Sequence, residues 1–300
     1  MRIAIIGAGG VGGYYGALLA RAGHDVTVYA RGDHLDRIRA DGITVEDQGG
    51  TFIAPVRATN ELQPIADAQL AILAVKSYSL SEVLPAVATA ARGGATIVPM
   101  LNGVEVADDL QRGGISTDRI LGGATFVSAS RVRPGVIRRH SAAARIIIGE
   151  LDGKRTRRLE EVAQVLRSTG IDIMAADDIV AEQWKKFHFI CAVSAVCGLA
   201  RGPLGAVRQR PLGMQTLARA VSEIAAVARA RGVAIPADQE AETMKTIAGW
   251  SDDLRPSLLL DVERGGPTEL SIMSGAVSRL GRAVGVDTPV HDTAAAVLPE

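Results

Sequence analysis

Five of the seven residues from position 7 to position 13 are glycine, and the stretch Gly7-Ala8-Gly9-Gly10-Val11-Gly12 has the spacing G-x-G-x-x-G. That spacing suits a pyrophosphate. The first glycine permits a tight turn, the second lets the backbone approach the phosphates, and the third lets a helix pack closely on a strand. A helix opening here offers unpaired N–H groups and the positive end of its dipole to an anion. The context agrees: residues 2–6 (RIAII) read as a buried strand, residues 11–22 carry helical spacing that Gly23 stops, and residues 25–30 (DVTVYA) read as a second strand.

The end of that second strand sets the cofactor. A carboxylate there would accept bonds from a ribose 2′-hydroxyl. This chain has Ala30-Arg31-Gly32, with no carboxylate before Asp33. A guanidinium pairs bidentately with a 2′-phosphate and stacks on adenine, so Arg31 predicts NADP(H) rather than NAD(H).

These residues need a scaffold. Residues 43–46 and 52–56 are strand candidates that Gly49-Gly50 could join as a hairpin. Strands at 70–75, 95–99 and 120–127 alternate with helices near 79–91 and 104–112, which implies a doubly wound parallel sheet. Residues 136–149 read as one or two antiparallel strands, 156–169 as a helix and 171–174 as a strand. Beyond residue 177 the pattern turns helical, with segments near 178–199, 211–231, 237–248, 254–263, 268–284 and 290–297. Pro203, Pro211, Pro236, Pro256, Pro267 and Pro289 mark their boundaries. The expected fold class is α/β: a Rossmann-type NADP-binding domain over 1–177, then an all-α domain over 178–300, with chemistry expected in the cleft between them.

Composition narrows the partners. Lys plus Arg and Asp plus Glu are both 33 in 300 residues, which gives no electrostatic case for nucleic acid or an anionic membrane. The most apolar late segment, 187–200, is too short to span a bilayer, and glycines interrupt the N-terminal apolar run where a signal peptide would lie. Cys191 and Cys197, six residues apart in an apolar stretch, read as buried free thiols of a reducing cytoplasm, and no His/Cys/Asp cluster has metal-ligand spacing. Small molecules and a second copy of the chain, as a homodimer, are the expected partners.

Several separated motifs stand in one order: the glycine loop with Arg31, then Val75-Lys76-Ser77, then Leu101-Asn102-Gly103. Glu182-Gln183-Trp184-Lys185-Lys186, Ser257 before Asp261, Thr268-Glu269 and Ser274-Gly275 follow. In this set the chain resembles the ketopantoate reductases (2-dehydropantoate 2-reductases) over nearly its whole length. The resemblance implies a Rossmann domain followed by a helical domain of the 6-phosphogluconate-dehydrogenase type. It also implies NADPH-dependent reduction of a 2-keto acid, ketopantoate to pantoate, in pantothenate and coenzyme A biosynthesis. Lys186 would be the general acid, and a lysine in a closed apolar site has a lowered pKa that makes proton donation feasible near neutrality. Lys76 and Asn102, just past strand ends, would lie beside the nicotinamide ribose, with Asn102 also reaching the substrate. Glu269 would bind the cofactor's ribose side and hold the lysine, Ala129 would touch the cofactor, and Ser257 would bond the substrate.

The chain departs from the family at the asparagines that usually follow the lysine at i+4 and i+8, on the same helical face. Here those substrate-facing positions are Ile190 and Ser194, the family's later aspartate is Ser271, and its Asn-Gly is Ser274-Gly275. Ile190 removes a polar partner, which leaves open a related NADP-linked reductase of a more apolar carbonyl or imine. A non-catalytic NADPH-binding redox sensor is the reading from another class, and the presence of both Lys186 and Glu269 argues against it.

Overall fold

Isoleucines run through the first strand without polar alternation, as a strand buried on both faces requires. In the computed structural model, which describes residues 1–142 and 144–300, that strand is the middle of a five-stranded parallel sheet. The chain runs β1 (Arg2–Ile6), α1 (Gly10–Arg21), β2 (Asp25–Tyr29), α2 (Gly32–Asp41), β3 (Ile43–Asp47), β4 (Gly50–Ala54), β5 (Arg57–Thr59), β6 (Leu70–Leu73), α3 (Leu80–Arg92), β7 (Thr96–Pro99) and α4 (Val106–Arg112). It continues through β8 (Gly122–Phe126), β9 (Ala129–Arg133), β10 (Val136–Arg139), β11 (Arg145–Gly149), α5 (Arg157–Arg167) and β12 (Asp172–Ala175).

The parallel sheet has the order β5-β2-β1-β6-β7. The chain builds outward on one side of β1 and then returns to build on the other, so β1 and β6 flank the switch point where open α/β sheets bind ligands at their carboxyl ends. The glycine loop leaves β1 and Lys76 follows β6.

Four features of residues 1–177 differ from the sequence pattern. Segment 120–127 was expected in the parallel sheet; its β8 instead pairs antiparallel with β11 in a three-stranded sheet β12-β11-β8, with a lone bridge Ile97–Ile120 beside β7. Helix α2 and edge strand β5 were not anticipated, although His34, Leu35 and Ile38 of α2 are buried at i, i+1 and i+4. Strands β3 and β4 form the expected hairpin, but Asp47 pairs with Gly50, so the turn is Gln48-Gly49. The segment 136–149 holds two strands with antiparallel partners, as expected, β10 with β9 and β11 with β8, but they lie in different sheets and β10 also pairs parallel with β3; its residue 143 lies outside the described residues.

The chain divides into two units: Met1–Leu101 with Val106–Ile179, and Asn102–Glu105 with Val180–Glu300. The second is helical: α6 (Ile179–Ala200), α7 (Leu204–Arg208), α8 (Gly213–Ala230), α9 (Gln239–Ala248), α10 (Ser257–Arg264), α11 (Ser274–Val284) and α12 (Pro289–Val297). The 22-residue α6 is apolar around most of its circumference and supplies Trp184, Phe187, Cys191 and Val196 to this unit's core, as a helix surrounded by others must. Both cysteines are buried and free. The expected helix 268–284 is broken. A 3₁₀ turn at Leu270–Ile272 ends at Met273 (φ −102°, ψ −106°), and α11 begins only at Ser274. Among the described residues no helix is long and apolar enough to cross a membrane.

Candidate active site

In the first unit the candidate residues act through backbone. Gly7 has φ +99°, and a side chain on it would press on Val75 and Ala74 of the strand-end loop after β6. A Cβ on Gly12 would strike the carbonyl of Gly7, so the loop and the first turn of α1 are in direct contact. Gly9, the residue ahead of α1, faces open space. No side chain caps the helix there and no acid lies in its first turn, which leaves the N–H groups of the turn to an incoming anion. This arrangement fits a pyrophosphate.

The loop is also held from behind. A Cβ on Gly10 would collide with the carbonyl of Ala129 at the start of β9, so Ala129 meets the loop through its backbone. From α2 the buried His34 makes two bonds. Its Nε2–H donates to the Ala8 carbonyl (2.7 Å), and its Nδ1 accepts from the N–H of Gly135 (2.9 Å) in the turn between β9 and β10. Because a carbonyl only accepts and an amide N–H only donates, this tautomer is the only one that satisfies both. Burial lowers the ring's pKa, which keeps it neutral.

Arg31 is exposed just ahead of α2, with Nη1 2.5 Å from Glu82 Oε2 on α3. An exposed pair of this kind is worth less than about 1 kcal/mol. Charge-assisted bonds to a phosphate are stronger, at about 1.5–3 kcal/mol each, so the pair with Glu82 is weak enough to yield to an anion of that kind. Lys76 is half-buried in an extended conformation and leads into a short 3₁₀ turn, Ser77–Ser79.

In the second unit the candidates are side chains. On α6, Lys185 turns outward to an ion pair with Glu182 (2.7 Å), while Lys186 is buried and donates from Nζ to Asn102 Oδ1 at 2.9 Å. The lysine pair is therefore not one solvated patch. Trp184 and Phe187 pack edge to face beside it, with centroids 5.8 Å apart, and both are buried. Burial pulls the Lys186 ammonium down to about 8, and the charge of Glu269 opposes the shift.

Glu269 is itself buried, just ahead of the 3₁₀ turn. Thr268 anchors this segment by donating to the Pro299 carbonyl (2.8 Å) and accepting from the Leu270 N–H (3.2 Å). The same turn supplies Ile272, against which Gly103 (φ +93°) packs. Asn102, Lys186 and Glu269 thus come from three separated segments and meet in one place.

The remaining candidates fall outside that cluster. Ile190 is half-buried one turn beyond Lys186, and Ser194 is buried a further turn on. Ser257 is exposed at the first position of α10, and Ser271 is exposed in the 3₁₀ turn. Ser274 is fully turned inward. Its hydroxyl meets His291 Nδ1 at 3.1 Å, His291 Nε2 meets the Ala220 carbonyl at 3.1 Å, and burial pushes His291 down to about 4. Glu223 completes this network by accepting the N–H groups of Val290 and His291. Ser274 here supports the fold. His188 is likewise a core residue, bonded to the Trp184 carbonyl, and Trp250 packs on Phe189.

Sequence reasoning overlooked His34, Glu82 and the His291 network. The first could have been found by noticing that 32–41 is a helix whose apolar stripe includes a histidine.

A glycine cradle on a parallel sheet and, in the helical unit, a buried, hydrogen-bonded lysine are the features a nucleotide-dependent reductase requires. Comparison with known proteins narrows the class. Residues 3–153 match the family model described as ketopantoate reductase PanE/ApbA, and residues 178–300 match its C-terminal counterpart. A 2-dehydropantoate 2-reductase of Mesorhizobium japonicum is 31% identical, the match covering 99% of this chain and 97% of that protein. An uncharacterized oxidoreductase, YkpB, of Bacillus subtilis is 29% identical over 98% of this chain and 96% of its own length. The crystal structure of a PanE/ApbA family ketopantoate reductase from Ralstonia eutropha superposes with a TM-score of 0.90 at 29% identity, covering 99% of this chain and 97% of that one. The chain belongs to the ketopantoate reductase family. It is an NADP-dependent oxidoreductase acting on a carbonyl group.

Proposed function

We propose that this chain reduces 2-dehydropantoate (ketopantoate) to pantoate, the step named for its relatives, with Lys186 as the proton donor. The observation that carries the reading is the bond from the buried Lys186 Nζ to Asn102 Oδ1, beside the charge of Glu269. When bound, NADPH supplies a hydride to the substrate's carbonyl carbon. Lys186, protonated at the start, releases a proton to the carbonyl oxygen as negative charge develops there, and afterwards regains one from solvent. Asn102 fixes the direction of the ammonium, and Glu269 keeps enough protonated lysine available near neutrality by opposing the effect of burial. Gly7 to Gly12 receive the pyrophosphate, with Ala8, Gly9, Gly10 and Val11 lining the turn and Ala129 backing it. Arg31 pairs with the 2′-phosphate, and Lys76, Asn102 and Glu269 serve the nicotinamide ribose.

For the substrate we assign Ile190 to the apolar carbon bearing ketopantoate's two methyl groups, and Ser194 and Ser257 to its polar ends. The apolar side chain at position 190 then suits ketopantoate without calling for another substrate. A homodimer in the cytoplasm completes the proposal, and the mass of the particle in solution checks the first half of it.

The test is NADPH oxidation with ketopantoate and a panel of other 2-keto acids. Ketopantoate should give the highest kcat/KM. A different acid winning by a wide margin would replace the substrate, and no oxidation with any of them would sink the catalytic reading.

A further inference from the structure

We infer that His34 is a positioning residue for the cofactor's pyrophosphate, acting through the backbone of the glycine loop. The inference rests on the reading of residues 7–12 as the NADPH loop.

A glycine-rich loop is a poor anion receptor unless something restrains it, because glycine has more backbone freedom to lose on binding than any other residue. Receptor N–H groups must be held in place before the phosphates arrive if affinity is not to be spent on ordering them. Side-chain packing cannot do this where the side chains are single hydrogens. The restraint therefore has to grip the backbone itself.

The structure shows two such grips, both from the β9–β10 hairpin. At one end the Ala129 carbonyl lies against Gly10, and Gly13 packs on Ile137 of β10. At the other end Gly135 (φ +76°), in the hairpin's turn, donates to His34, which donates in turn to Ala8. Imidazole is suited to the task because it is rigid and carries one donor and one acceptor on the same ring. No hydroxyl, carboxylate or lysine bridges an N–H and a carbonyl in this way without a rotor. His34 touches neither a phosphate nor the reacting atoms in this arrangement. It fixes the carbonyl side of Ala8, and with it the path on which Gly9 and Gly10 present their N–H groups.

The position of α2 also ties this grip to the cofactor's other phosphate. Arg31 lies directly ahead of the helix that carries His34. One short helix thus carries the guanidinium for the 2′-phosphate and the latch for the pyrophosphate loop, and the two can be separated by ligand choice.

His34→Phe keeps a ring of similar volume and deletes both bonds, and His34→Gln restores a donor and an acceptor on one amide. Binding of NADPH is compared with binding of adenosine 2′-monophosphate, which has the phosphate for Arg31 and no pyrophosphate. His34→Phe should weaken NADPH about tenfold, the worth of one or two net hydrogen bonds, while adenosine 2′-monophosphate binds as to the wild type. The KM for NADPH should rise, with kcat at saturating NADPH changing by less than about twofold. His34→Gln should fall between the two. Unchanged NADPH binding in His34→Phe overturns the inference, and so does equal weakening of both ligands, which would mean a general loss of the fold. If His34→Phe does not fold, the same two ligands are compared on His34→Gln, and either of those two results overturns the inference there as well. Wild-type protein that binds no NADPH would sink the underlying reading instead, so the two failures are distinct.

Discussion

The glycine loop and the lysine cluster solve opposite problems. The loop is made of backbone, occupies six consecutive positions and works by removing side chains: a Cβ at Gly7, Gly10 or Gly12 would meet Val75, Ala129 or Gly7 itself. The lysine cluster is made of side chains drawn from residues 102, 186 and 269, and works by burying a charge among them. The first has no room for an added atom at those three glycines. The second tolerates no lost one. A backbone receptor gives affinity for a common ligand, whereas a perturbed side chain gives chemistry, so substitutions in the two regions should separate binding from turnover.

The largest separation is expected from Lys186→Ala. Loss of a general acid costs about 10²–10⁴ in rate, so kcat should fall about a thousandfold while the NADPH dissociation constant moves less than about twofold. Steady-state kinetics beside a fluorescence titration of NADPH gives both numbers, and near-normal turnover would remove Lys186 from the mechanism.

Arg31→Ala should do the reverse. Losing charge-assisted bonds to the 2′-phosphate should weaken NADPH by tens of fold and leave NADH nearly unchanged. Equal loss for both nucleotides would mean that Arg31 acts only as Glu82's ion-pair partner.

A smaller change should follow Gly12→Ala. Its methyl must push on the Gly7 carbonyl, an overpacking that costs about 1–3 kcal/mol. A thermal melt should show the lower Tm, with NADPH affinity falling alongside it. A variant with unaltered Tm and affinity would show that the loop yields freely, contrary to its role as a restrained receptor.

These contrasts also explain what the sequence disclosed. Residues 7–12 are local, and steric demands on consecutive backbone atoms leave a mark in consecutive letters. Arg31 was legible for the same reason, since the end of β2 follows the loop by a fixed element length. Lys186 could be singled out, but its geometry could not. Whether it or Lys185 turns inward depends on the register of α6, and Asn102 and Glu269 reach it only through tertiary packing. Segment 268–284 shows the limit clearly. Its spacing is helical throughout, yet burying Glu269 beside Lys186 goes with a 3₁₀ turn and a break at Met273. His34 was invisible because its role depends on Gly135, a hundred residues away. Strand β8 was misassigned because spacing reports that a segment is a strand without naming its neighbour.

The smallest expected effect is the most direct test of the central claim, that Lys186, its pKa lowered by burial against the opposing charge of Glu269, donates the proton. It is the pH dependence of kcat/KM for ketopantoate, measured on the wild type and on Glu269→Gln. Only the protonated lysine can donate, so activity should be level below the lysine's pKa and fall tenfold per unit above it. With burial setting that pKa at about 8 and Glu269 opposing the shift, the wild-type limb should bend near pH 8. Removing the carboxylate's charge should lower the pKa further and move the bend to lower pH. A wild-type profile that stays level to about pH 10, the range of an ordinary lysine, or a bend that ignores Glu269→Gln, would contradict the claim.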